Sequence, residues 1–429
     1  MGLALSTLSC ASSTSTQQQP QLSDDALLDQ IQRAGFLFFW EQASPTTGLV
    51  KDRALAVGGD TRTVASIAGT GFGLTALCIG HNRNYADRAQ IQARVAQTLN
   101  FLLNKLPQVN GFFYHFLDMN TGLRAYNCEL SSIDTTLLLC GVLTCRQYFQ
   151  DAQIQNLATQ IYNRVNWPWM LNGGQTFSMG WTPESGFLKS RWDHYCELLM
   201  LYLLAIGSRT NPVPPSTWDA FSRPKFTYSG LTYITDRVAP LFIHQFSHAW
   251  FDFRNKRDKY ANYFENSITA TQAHKLFCLS LQAQFKDYQP NLWGITSSDS
   301  ANGYTAWGGP PPMGDIDGSI VPCAAAGSLP FALSDCISVL RTIYSQYPEA
   351  WQRYGFVDAF DPLTNWYDSD VVAIDAGITE LMAENCRTGF VWNTFMSNIE
   401  VQNAFSAVGL NSQPFPQNGK SGAPSLRKA

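Results

Sequence analysis

About twelve stretches of this chain read as helices, and many of them are apolar on more than one face. A helix apolar all round must be covered on every side. Runs such as 67–79, 137–149 and 198–205 therefore need neighbours on two sides. The strand signals are few and short, as at 111–118 and 123–126, which together suggest a hairpin around Asn120-Thr121-Gly122. The arrangement that covers so many helices is two concentric rings, so the expected fold is all-α, an (α/α)6 toroid with long loops at one end. The 429 residues divide into a flexible leader or signal-peptide remnant over 1–22, one domain over 23–410, and a tail over 411–429 rich in Pro, Gly, Ser and Gln.

Helix boundaries are marked by local chemistry. Ser23 precedes Asp24 and Asp25, which favours a helix start there. Ser131 with Asp134 resembles a capping box before the run 137–149. Asp134 thus has a structural explanation, whereas Glu129, in the loop before it, has none. Gly69, Gly71 and Gly73 superficially suggest a phosphate loop, but no strand precedes them and no Lys-Ser/Thr follows. They fit a closely packed helix of small residues better. Continuous helices are expected over 263–285 and 323–344, a short one over 349–354, and another from Asp375 to about 396. The stretch 291–317, with Trp293, Trp307 and Gly308-Gly309-Pro310-Pro311-Pro312, is too long for a plain connector, and such loops are usually functional.

Polar and aromatic residues gather just before helix starts: 39–53, 114–134, 191–197, 244–252, Trp307 and 366–375. Arg191-Trp192-Asp193-His194-Tyr195-Cys196-Glu197 opens the almost wholly apolar run 198–205. On a helix, Asp193 and Glu197 would share one face. Carboxylates are rarely buried without a partner or a task. Glu197 reads as the general acid of a sugar-cleaving site; the plainer alternative is a helix start in which Asp193 complements the dipole and Glu197 is partly exposed.

Composition narrows the classes further. Charged residues make up 14% and the net charge is −4, which points away from nucleic acid and anionic membranes. Aromatics reach 13%, which suits stacking on sugar rings as well as a Phe-rich core. Ten cysteines include no CxxC pair and sit mostly in apolar runs, so they read as core residues, with room for one or two bridges. His244 and His248 stand four apart but lack a third ligand nearby, which favours polar contact to a ligand or to Asp252 over a metal. No segment is long and apolar enough to span a bilayer, and Cys10 is a weak lipoprotein-type site.

Several motifs together resemble the glycoamylase-like domain family: Phe38-Phe39-Trp40-Glu41, Gly48-Leu49-Val50-x-Asp52-Arg53, Ser66-Ile67-Ala68-x-x-Gly71-Phe72-Gly73, Glu129-Leu130-Ser131-Ser132-Ile133-Asp134-Thr135, Trp192-Asp193-x-Tyr195-x-Glu197, Tyr263-Phe264-Glu265-Asn266-Ser267 and Glu384-Asn385-x-Arg387-x-Gly389. The resemblance covers about residues 25–396. The family includes endo-β-1,2-glucanases of glycoside hydrolase families 144 and 162, which are (α/α)6 toroids. The resemblance implies an inverting, endo-acting hydrolase of β-1,2-glucan that uses no metal or other cofactor. Glu197 matches the family's general acid. Asp375 is the favoured base, with Asp368 and Asp370 as rivals, because Ala373-Ile374-Asp375-Ala376-Gly377 departs from the usual Gly-Ile-Asp-Gln-Gly. Glu129 and Asp134 would bind sugar hydroxyls, and Arg53, His115, Trp192, Asp193, His194, His248, Trp307 and Trp366 would line subsites. Inverting chemistry needs a protonated acid and a water-activating carboxylate about 6.5–9.5 Å apart. The implied partner is a glucan, the implied state a monomer, and the implied location extracytoplasmic, with a lipid anchor an option. Alternatives are a hydrolase of another β- or α-linked glucan, a polysaccharide lyase and a non-catalytic glycan-binding protein. A lyase for uronates would want clustered Arg or Lys, and the candidate residues here are acidic and aromatic.

Overall fold

Short polar side chains set half of the helix starts. Ser23, Ser66, Asp87, Ser131, Asp151, Asn166 and Asn262 each accept a backbone N–H of the turn they precede. The computed structural model describes residues 22–236 and 240–412. Its helices in chain order are α1 Asp24–Glu41, α2 Ile67–Arg83, α3 Arg88–Asn104, α4 Ser132–Tyr148, α5 Ala152–Asn163, α6 Trp167–Leu171, α7 Leu199–Gly207, α8 Phe246–Trp250, α9 Tyr263–Ser280, α10 Pro322–Ala326, α11 Leu333–Gln346, α12 Ala373–Thr388, α13 Phe390–Phe395 and α14 Ile399–Val408. The protein is mostly helical, as the apolar runs predict.

The wholly apolar helices pack on one another and are backed by amphipathic ones. α2 lies between α4 and α12; α4 also touches α7, and α12 touches α8 and α10. α1 backs α2 and α12, α3 backs α2, α5 backs α4, α14 backs α7, and α11 backs α10. Glycine permits the tightest of these contacts. A Cβ on Gly71 would collide with the Leu137 backbone, and one on Gly141 with the Gly71 backbone. This is the small-residue helix expected in place of a phosphate loop. The same contacts fix direction. Gly71 meets Leu137 near the start of both helices and Cys78 meets Cys145 near the end, so α2 and α4 run parallel. Phe72 meets Gly377 and Arg83 meets Glu384, so α12 runs with them. The N-termini of α2, α4 and α12 therefore share one end of the molecule.

Short antiparallel pairs decorate that end. Arg53–Leu55 pairs with Asp370–Val372, and Val64–Ser66 pairs with Phe116–Asp118. The sequence suggested instead that the strand near 116 folds back on 123–126; only one bridge, Leu117 to Arg124, forms there. Other expectations shift in definable ways. The helix over 323–344 is broken by a turn at 327–332, where Pro330 interrupts the backbone N–H series. Of the stretch 349–354, Glu349 and Ala350 lie in a single helical turn over Pro348–Ala350, and the rest closes a hairpin between Trp351–Gln352 and Gly355–Phe356. The hairpin of Lys225–Tyr228 with Leu231–Ile234 escaped the sequence reading.

Nine cysteines are described, all free and all but Cys128 buried, in keeping with their reading as core residues. The expected leader, with Cys10, lies outside the described residues except for Leu22. Of the expected tail, Asn411–Ser412 forms a strand pair with Lys256–Arg257, and 413–429 lies outside the described residues. Among the described residues no helix is long and apolar enough to cross a membrane.

Candidate active site

Glu197 precedes α7 in a turn instead of riding on the helix, so Asp193 and Glu197 do not share a helical face. The backbone of Asp193 is engaged by Ser222, which accounts for the delayed helix start. Asp193 and His194 point outward as an exposed pair, Nδ1 to Oδ1 at 2.7 Å. Glu197 itself is 9% exposed. Burial, with smaller contributions from the charges of Asp134 and Asp236, pushes its carboxyl up to about 7.

The N-terminus of α4 holds the next group. Ser131 donates to Asp134 Oδ2 at 2.5 Å, and its Oγ accepts the Asp134 N–H, as the capping pattern predicts. His115 stands between Glu129 (Nδ1 to Oε1, 3.1 Å) and Asp134 (Nε2 to Oδ1, 3.5 Å). Burial opposes protonation of this imidazole, but Asp134 and Glu129 outweigh it and push it up to about 9. Glu129 thus gains the partner that the sequence did not reveal. Trp192 donates its Nε1–H to Ser132 Oγ at 2.8 Å, which fixes the indole beside α4 and brings the approach to α7 to this end.

A third group surrounds the N-terminus of α12. Asp375, 8% exposed, sits in the first turn, where helix N–H groups favour an ionised carboxylate. Cys323 donates Sγ–H to its Oδ1 at 3.1 Å. Asp358 and Asp299, which the sequence reading did not single out, complete the group. The Asp299 N–H donates to Asp358 Oδ2 at 2.7 Å, and Arg53 bridges Asp299 (2.5 Å) and Asp52 (3.1 Å). The oxygens of Asp299, Asp358 and Asp368 lie within 4.8 Å of one another. Burial, aided by Asp299, pushes Asp368 up to about 7. Tyr304 is 58% exposed, yet it carries its hydroxyl in toward Asp375 and Asp358.

Both carboxylate groups draw positive charge from within, from His115 in one and Arg53 in the other. The two are linked, since Asp52 acts on both His115 and Arg53. The candidate residues from α4, the α7 approach, the 53–55 strand and α12 therefore meet at one end.

Four expected site residues have other duties. Asp370 is held by both Nη1 (2.7 Å) and Nη2 (2.6 Å) of Arg62, within the strand pair to Arg53–Leu55, which makes it the weakest of the three base candidates. His248 is 1% exposed among Phe253, Phe264 and Phe331, bonded to Ser267, and burial pushes its imidazole down to about 3; it is a core residue rather than a subsite. His244 likewise meets Tyr195 rather than a ligand. Trp307 is 2% exposed with its Nε1–H on Ser298, so it braces the 291–317 loop and offers no face for stacking. Trp366 is half-buried in a short pair with Asp361, two residues ahead of Asp368.

Asp299 and Asp358 could have been sought. Asp299 lies inside the loop that its length marks as functional. Asp358 had no such signal, because a lone Asp between apolar residues resembles any loop carboxylate.

Fold and site together define a mostly helical protein with ionisable groups concentrated at the N-terminal ends of its central helices. Comparison with known proteins sharpens this class. The chain belongs to the glycoamylase-like family: residues 189–399 match the family described as "Putative glucoamylase". It is 30% identical to a putative glucoamylase from Bacteroides caccae of known crystal structure, covering 91% of this chain and 100% of that one, with a TM-score of 0.84. An endo-β-1,2-glucanase from Chitinophaga pinensis, in complex with sophorotriose and glucose, is similar at 28% identity over 90% of this chain and 98% of that one, TM-score 0.83. An exo β-1,2-glucooligosaccharide sophorohydrolase from Parabacteroides distasonis is 27% identical over 426 residues. That match takes in 90% of this chain but 58% of the relative's length.

Proposed function

We propose that this chain is a glycoside hydrolase that cleaves β-1,2-glucan with inversion, acting within the polymer and releasing sophorooligosaccharides. The observation that carries the reading is the contrast at one end of the helices: burial pushes Glu197 up to about 7, whereas at Asp375 burial also raises the carboxyl but is opposed by the Asp358 and Cys323 hydrogen bonds and the charge of Arg53. A general acid must be protonated when the leaving oxygen departs, and a base must be ionised when water attacks. Glu197 is the acid and Asp375 the base. Asp368 is the remaining rival; its carboxyl is pushed up to about 7 and its buried Oδ2 meets no donor, whereas Asp375 has the Cys323 thiol.

The packing supports a double ring. In this reading α2, α4, α7, α8, α10 and α12 are the inner set, backed by α1, α3, α5, α11 and α14, with α9 packed on the short turn Leu241–His244 that leads into α8. Two of the relatives named above, the Chitinophaga pinensis glucanase and the Parabacteroides distasonis sophorohydrolase, are named for β-1,2-linked glucans or glucooligosaccharides, which supports that linkage over others. His115, Glu129, Asp134, Arg53 and Trp192 then supply hydroxyl contacts and an aromatic wall. A substrate of polymer size places the working protein outside the cytoplasm.

Linear β-1,2-glucan incubated with the protein tests this, with product lengths followed over time. A spread of short oligosaccharides, lost in Glu197→Gln, supports the reading. Sophorose alone from the first minutes would mean exo action. No cleavage would send the assignment to another linkage, and cleavage that survives in the variant would remove Glu197 from the acid role.

A further inference from the structure

The base group contains a carboxylate that no motif pointed to. Asp358 is 3% exposed, and its Oδ2 is taken by the Asp299 N–H. Its Oδ1 is buried and meets no N–H or hydroxyl donor, while its carboxyl and that of Asp375 line the same small cavity within reach of a hydrogen bond to each other. Two carboxyl oxygens bond only through a proton. One member of the pair must therefore be neutral, and the surroundings decide which. Asp375 has the Cys323 thiol as a second donor, the positive charge of Arg53 nearby, and the first turn of α12 around it. Asp358 has like charges in Asp299, Asp368 and Asp375, and Arg62 is occupied by Asp370 and Asp60. The proton belongs on Asp358.

We propose that Asp358 is a positioning residue for the base: it carries a proton, donates it to Asp375 in a hydrogen bond, and so keeps Asp375 ionised and aimed at its water. The role rests on the reading of Asp375 as base. Both carboxylates line a cavity of about 20 Å³, shared with Gly35, Pro322, Tyr354 and Thr379, that is large enough for one water. The other groups facing the pair are Tyr304, whose hydroxyl approaches from the 291–317 loop, and Asp52 beyond Arg53.

Three proteins test this: wild type, Asp358→Asn, which keeps a donor for Asp375, and Asp358→Leu, which does not. The Asn variant should rescue most activity, within about tenfold of wild type, while the Leu variant loses on the order of 10²-fold in kcat with KM little changed. The acid limb of the Leu variant should move to higher pH, because Asp375 loses a hydrogen bond to its charged form. Equal losses in both variants would overturn the proposal, since they would mean that Asp358 works as an anion. A second readout needs no substrate and no Leu variant. A neutral buried Asp358 makes wild-type stability fall with rising pH above the normal carboxylate range, and the Asn variant should lose that part of the slope in urea unfolding between about pH 5 and 8. Parallel curves would refute the shared proton even if the chain proves inactive on β-1,2-glucan. A lost slope in a chain inactive on that glucan would retain the pair and discard only the substrate.

Discussion

The two sides of the site solve opposite problems with the same functional group. Around Glu197 the protein removes water and supplies little else, so a single carboxylate is driven toward its neutral form. Around Asp375 it crowds Asp299, Asp358 and Asp368 together and then compensates with Arg53, the Cys323 thiol and the first turn of α12. The difference teaches that burial alone produces an acid, whereas a buried base needs donors. Helix α12 itself shows what happens without them. Glu380, five residues after Asp375, is fully buried and both its oxygens lack partners, whereas Glu384 is held by Arg83 (2.7 Å) and Gln32 (2.5 Å).

The comparison is tested most severely by exchanging the proposed acid and base for amides. Glu197→Gln and Asp375→Asn should each cost about 10²–10⁴-fold in kcat on β-1,2-glucan. Arg83→Met comes next: it strands Glu384 in the interior, and urea unfolding should show a loss of about 3–5 kcal/mol. Glu380→Gln should act in the other direction. Its raised carboxyl makes wild-type stability fall as pH rises above the unfolded value near 4.3, by up to about 1.4 kcal/mol per pH unit. The amide variant should therefore gain on wild type at pH 8 and not at pH 4.

The smallest effect concerns His115. Its imidazole is raised to about 9, so its contribution to stability is complete below about pH 6.5 and disappears as pH rises through 9. His115→Gln should match wild type in urea midpoint at pH 10 and fall below it at pH 6.

Much of this was legible in the sequence, for reasons that are local. Ser23 and Ser131 announce their helices because capping is a contact between residues two or three apart. Gly71 was readable as a packing residue because nothing around it could bind phosphate. Glu197 and Asp375 were readable through their motifs. What stayed hidden depends on distant partners. His115 finds Asp134 19 positions on, Arg53 finds Asp299 246 positions on, and Asp358 finds Asp375 only because two loops fold over the start of α12. His248 and Trp307 were misplaced for a related reason: a polar or aromatic residue in an apolar stretch looks the same whether it faces a substrate or a core.

The central claim, a protonated Glu197 opposite an ionised Asp375 that activates water, is tested most directly by the anomeric form of the first product. Proton NMR during the opening minutes of β-1,2-glucan hydrolysis should show the α-anomer at the new reducing end before mutarotation. Accumulation of the β-anomer first would contradict the account, because it would require one of these carboxylates to attack the sugar itself.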